Sequence, residues 1–164
     1  MDAIYIPSLL KSPDKTEEVE FKERLPHLET LTPVQGCVRV THGGNFLEVR
    51  GSAETIVTLS CDRCLKQYNH RLTAEASEII WLENPANLPE PEREVELSVD
   101  ELVETLSPMG RFHPGEWIYE QLCLALPQRK LCDTDCPGID WATTANNPTD
   151  SRWASLEQLK NSLN

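Results

Sequence analysis

The sequence has no apolar run near the roughly 18 residues that a membrane-spanning helix needs, and its opening, Met1-Asp2-Ala3-Ile4-Tyr5-Ile6-Pro7, lacks the basic-then-apolar plan of a secretion signal. The first residues also carry too many acids for an organelle transit peptide, so the expected compartment is cytoplasmic. Cations are scarce: 15 Lys and Arg stand against 27 Asp and Glu, a net charge of -12. A chain this acidic repels polyphosphate as a whole, which leaves only local basic patches for contact with nucleic acid. Motifs of catalysis are missing as well. There is no Gly-x-Ser-x-Gly, no phosphate-binding glycine loop and no His-Glu-x-x-His. The four histidines are scattered, with His42 in a turn and His113 at a helix start. Asp100, Glu101 and Glu104 are first-turn acids that favour a helix dipole without further function. The expectation is a protein that is not an enzyme and has no small-molecule substrate.

What is present suits one domain, since 164 residues with 39% hydrophobic content can build a core. Residues 1–33 hold Pro7, Pro13, Pro26 and Pro33 and read as a wrapping segment, mostly loop, with a short strand at Ile4 to Ile6. From 34 to 83 the apolar residues alternate: Val38 and Val40, Leu47 and Val49, Thr55, Val57 and Leu59, then Tyr68, Leu72, Ala74 and Ala76. Turns at His42-Gly43-Gly44-Asn45 and at Gly51-Ser52, with a third reversal at Cys61 to Cys64, predict an antiparallel meander of about four strands. Residues 84–97, rich in proline and glutamate, read as an exposed acidic loop. Ser98 and Glu101 have the form of a capping box, opening a helix near 99–107 that Pro108 stops. A second helix is predicted from Pro114 to about 126, where Pro127 ends it. The fold class is therefore α+β, with two helices over one sheet face and a second cysteine loop within 98–139. The domain closes near 140. A linker and a last helix, with Trp153, Leu156, Leu159 and Leu163 on one side, fill 141–164.

Six cysteines without an export signal read as thiols of a reducing compartment. Cys61 and Cys64 sit in a strand reversal, and Cys132 and Cys136 follow a helix that must pack on the sheet. Two such pairs supply the four sulfurs of a closed tetrahedral zinc site that would clip the two halves together. The alternatives are four ordinary reduced thiols, or a redox Cys-x-x-Cys. The redox setting is a helix N-terminus that lowers a thiol pKa, and nothing predicts a helix after Cys64. Cys37 and Cys123, on apolar elements, read as small core residues. Arg63, Lys66, His70 and Arg71 follow the first pair, and Arg129 and Lys130 precede the second. They are either solvated loop charge or a contact surface.

Taken together, Leu47-Glu48-Val49-Arg50-Gly51, Cys61-Asp62-Arg63-Cys64-Leu65-Lys66-Gln67-Tyr68, Tyr119 to Pro127, and Cys132 and Cys136 with Pro137-Gly138 resemble the YceD family. The likeness runs from about 30 to 140, and the tail Asp150-Ser151-Arg152-Trp153 is similar too. The branch it most resembles is that of photosynthetic bacteria and plastids. Some members continue past Pro-Gly with a further Cys-x-x-Cys-Gly, where this chain has Ile139-Asp140-Trp141, so a metal here must use the four cysteines named. The resemblance implies a role in accumulation of the large-subunit (23S) ribosomal RNA. Partners would be ribosomal RNA, touched through Arg63, Lys66, Arg71, Arg129 and Lys130, or a basic large-subunit ribosomal protein escorted by the acidic surface. A thiol redox protein is the outsider.

Overall fold

The computed structural model describes residues 1–83 and 104–139. In chain order these form β1 (Ile4–Tyr5), α1 (Ile6–Leu9), β2 (Thr16–Glu23), β3 (Val34–His42), β4 (Phe46–Ser60), β5 (Gln67–Leu82), β6 (Thr105–Leu106), β7 (Arg111–Phe112) and α2 (Pro114–Ala125). Strands β2 to β6 make one five-stranded sheet in sequential order, and β1 pairs with β7 apart from it. All pairings are antiparallel except β5 with β6, which is parallel.

Period-two patterning decides which face is covered. Val34, Val38 and Val40 of β3, Leu47, Val49, Ala53 and Val57 of β4, and Leu72, Ile80 and Leu82 of β5 are buried together with Trp117, Ile118 and Leu122 of α2. Ile6 and Leu9 of α1 close the same core. The other face is open and polar. There Arg39 pairs with Glu18 at 2.7 Å, Gln35 donates to Glu54 at 2.6 Å, and Arg50 pairs with Glu48.

Three expectations are corrected. Gly51-Ser52 is not a turn: β4 runs through it for 15 residues, so 34–82 holds three strands, two of them long. Gly51 is opposite Val38 and Ala76, and a Cβ there would come within 2.8 Å of the Trp117 ring. Its glycine makes room for the indole of α2. Second, the proline-rich start contains a full strand, β2, in which Val19 and Phe21 alternate inward among glutamates and pair with β3. Third, Thr105 and Leu106 are strand, not helix. Trp81 N–H donates to Glu104 O at 3.0 Å and Glu83 N–H to Leu106 O at 2.9 Å, so the free edge of β5 captures this backbone. One long helix, α2, therefore covers the sheet, assisted by the short α1. The capping box at 98–101, the acidic loop 84–97 and the linker and helix of 141–164 lie outside the described residues.

The turn at Gly43-Gly44 is as expected, with Gly44 at φ 105° and Gly43 N–H donating to Phe46 O at 2.8 Å. Helix α2 starts at Pro114, and its C-cap Leu126 precedes Pro127. The β4–β5 hairpin keeps register from Phe46↔Trp81 to Ser60↔Gln67, which carries Cys61 to Lys66 to the far end of the sheet.

Candidate metal centre

The reversal after β4 is a tight loop. Leu65 N–H donates to Cys61 O and Cys61 N–H to Lys66 O, both at 2.9 Å, and Leu65 takes φ 60°. This winding brings the Cys61 and Cys64 sulfurs to one side. On the second loop Cys136 N–H donates to Asp133 O at 3.2 Å and Asp135 N–H to Asp133 Oδ1 at 2.8 Å.

Three hydrogen bonds zip the loops together. Asp62 N–H donates to Lys130 O at 2.7 Å, Lys130 N–H returns to Asp62 Oδ2 at 2.7 Å, and Arg63 Nη1 donates to Cys136 O at 3.0 Å. Sequence reasoning missed Asp62 and read Arg63 as a free cation. Their signal was the polar pair enclosed by two cysteines, whose partners only the fold supplies.

The four sulfurs converge. Cys61 and Cys136 Sγ are 3.8 Å apart, Cys64 and Cys132 Sγ 3.7 Å, and all four lie within 4.8 Å of one another. A disulfide needs an S–S distance of about 2.05 Å, and all six cysteines are free. A tetrahedron with Zn–S bonds of about 2.3 Å has edges of roughly 3.8 Å, which the two closest pairs match. The residues present therefore fit a metal ion, and an all-sulfur set with no open position suits a structural ion, not a catalytic one. Cys61 and Cys136 are buried, Cys64 is half-buried and Cys132 is exposed, so the cluster opens to solvent on the Cys132 side.

Electrostatics divide the thiols. Backbone amides of Cys132 and Cys64 facing the Cys61 sulfur lower its pKa to about 6. Hydrogen bonds to the Cys136 and Cys64 sulfurs push Cys132 up to about 12. At Cys136 the Gly138 amide favours the thiolate, but burial and the sulfurs of Cys64 and Cys61 carry the net shift upward. Burial, then the charges of Cys61 and Asp62, raise Tyr68 at the start of β5. Packed proton-sharing thiols with amides aimed at them are a charge arrangement that a divalent cation would complete.

The remaining residues scatter. Lys66 and Arg129 are exposed on the two loops and Lys130 is half-buried beside them, interleaved with exposed Asp133 and Asp135. Arg71 lies on the open face of β5, four residues and about 13 Å beyond the strand start. Cys37 is half-exposed on that face, 3.7 Å from Ser52 Oγ, and Cys123 is half-buried on α2, so neither belongs to the core. A strand, not a helix, follows Cys64, so the helix-dipole setting of a redox thiol is missing there. Among the described residues no helix is long and apolar enough to cross a membrane.

A family model described as "Large ribosomal RNA subunit accumulation protein YceD" matches residues 49–160, well over half of the chain and inclusive of all four cysteines of the cluster. No curated protein and no solved structure matches the chain.

Proposed function

Because the chain belongs to the YceD family, with a role in biogenesis of the large ribosomal subunit, we propose that it supports accumulation of 23S ribosomal RNA by binding, without catalysing a reaction. The observation that carries this is the family match across a closed four-sulfur cluster. Zinc is the proposed ion, one per chain, held by Cys61, Cys64, Cys132 and Cys136. Its part is to join the two loops, while Asp62, Arg63 and Lys130 hold them in register beneath it. The proposed compartment is the cytoplasm or an equivalent reducing space, and the branch of photosynthetic bacteria and plastids belongs to the same proposal.

In this reading Lys66, Arg129 and Lys130 offer phosphate contacts on the loop rim, with Arg71 as a separate contact on the sheet and Arg63 committed to the loops. A second reading, an acidic escort for a basic large-subunit protein, gains support from the rim itself. Asp62, Asp133 and Asp135 stand among the cations, and four thiolates on a divalent ion would leave the cluster with two negative charges. Deleting the gene should lower large-subunit relative to small-subunit RNA, and an unchanged ratio would remove the function. Ribosomal partners that survive RNase treatment of a pull-down favour the escort, whereas their loss favours RNA contact.

A further inference from the structure

The reversal at Cys61–Lys66 requires a left-handed residue at its fifth position, closed by the Leu65-to-Cys61 hydrogen bond, and the chain places leucine there at φ 60°. Glycine or asparagine takes this conformation readily, but a bulky residue does so at a cost. The side chain recovers little within the described residues, since Leu65 is 67% exposed. Ile139, just past the second cysteine loop, is another exposed apolar side chain, at 38%. Gly138 beside it lies against Arg63, with the position of a Cβ 3.6 Å from Arg63 O, so both apolar residues belong to the joined loops. Around them stand Lys66, Arg129 and Lys130 with Asp133 and Asp135.

An apolar centre ringed by charges of both signs is the anatomy of a protein interface. Polyphosphate would meet the three aspartates and the charge of the thiolates, and the net charge of -12 steers basic proteins toward the chain. We infer that Leu65 is the apolar anchor of a docking surface for a basic protein partner that offers an apolar pocket to the joined cysteine loops. The inference rests on the reading of the chain as a binding factor in large-subunit assembly and names the kind of partner within it. Strain in the loop and exposure of the side chain are then two aspects of one device, a leucine held outward where the metal loops turn.

The test uses the full chain with its metal and, as probe, the total proteins of the large subunit freed of RNA, with protein-free large-subunit RNA in parallel. Wild type should retain at least one basic subunit protein. Leu65→Gly should weaken that retention about 10- to 100-fold, the factor expected when one leucine's buried apolar surface is lost. Leu65→Met, which keeps an apolar side chain, should stay within about threefold of wild type by the same measure. The melting temperature of Leu65→Gly should equal or exceed that of wild type, because glycine relieves the left-handed position. Equal retention by wild type and Leu65→Gly, or no retention by wild type, overturns the inference. So does a drop in melting temperature with loss of metal, which would make the side chain part of the loop's own packing. A loss seen only with protein-free RNA overturns it too, in favour of an apolar wedge against bases. Failure of the parent reading shows separately, as an unchanged ribosomal RNA ratio in the gene deletion. A normal ratio in cells carrying only Leu65→Gly, against a defect in the deletion, rejects the anchor and leaves the family role standing.

Discussion

Removing the metal should lower stability without unfolding the sheet. The sulfur cluster joins residues 61–64 to 132–136, and an ion that binds only the folded chain contributes RT ln(1 + [L]/Kd). That is about 4.1 kcal/mol at a free concentration a thousandfold above Kd. For a chain of this size each kcal/mol shifts the midpoint by about 2–4 °C, so stripping zinc should lower Tm by about 8–16 °C. Secondary structure should change little at 25 °C, because the Asp62–Lys130 and Arg63–Cys136 hydrogen bonds and the β4–β5 ladder do not involve the ion. The assay is metal analysis on protein purified without added zinc, followed by calorimetry with and without chelator, for wild type and Cys136→Ser. Near-stoichiometric zinc in wild type and its loss in the variant are expected. The pH dependence has a definite sign. Cys132, pushed up to about 12, and Cys136, shifted the same way, hold their protons at neutral pH. Metal binding must displace at least those two, so affinity should fall at least ~100-fold per pH unit on acidification, and the metal's contribution to stability is present at high pH and lost as pH falls. Cys61, lowered to about 6, adds a further proton only below that pH, which steepens the loss there. Native, metal-free protein with four freely titrating thiols and a Tm indifferent to chelator would refute the reasoning.

Arg63→Ala should cost about 1 kcal/mol, because it leaves the Cys136 carbonyl without its partner, whereas Lys66→Ala should stay within about 0.5 kcal/mol. Equal effects in denaturant titrations would show that the Arg63 bond contributes nothing. Gly51→Ala should cost about 1–3 kcal/mol, since the added methyl meets the Trp117 ring, and wild-type stability with undisturbed tryptophan fluorescence would contradict that packing. Burial, with Glu78 and Glu120 nearby, raises the Glu104 carboxyl above 4.5. The folded state therefore binds more protons just above that value, and stability falls as pH rises through the window. Glu104→Gln should accordingly stabilise at pH 7 and lose that advantage at a pH well below 4.5; a gain of equal size at both pH values would sink the electrostatic account.

Local rules carried far in this chain. Alternation marked β3, the start and end of β4, and β5, the prolines bracketed α2, and the two cysteine pairs named the cluster, because each signal depends on residues within a few positions of one another. Proline and glycine misled the reading where a distant partner overruled them. Gly51 looks like a turn until Trp117 arrives from α2, and β2 looks like loop until β3 pairs with it, since only a neighbouring strand can offset the entropy of ordering such an acidic segment. Thr105 and Leu106 fit a helical period, yet the open edge of β5 supplies backbone partners that the period cannot foresee. The sequence by itself determined which sulfurs could share an ion. Tertiary structure alone decided that Arg63 is spent holding the loops, that Arg71 stands apart on the open face, and that Leu65 is turned outward, because each depends on what folding brings, or fails to bring, within hydrogen-bond or van der Waals reach.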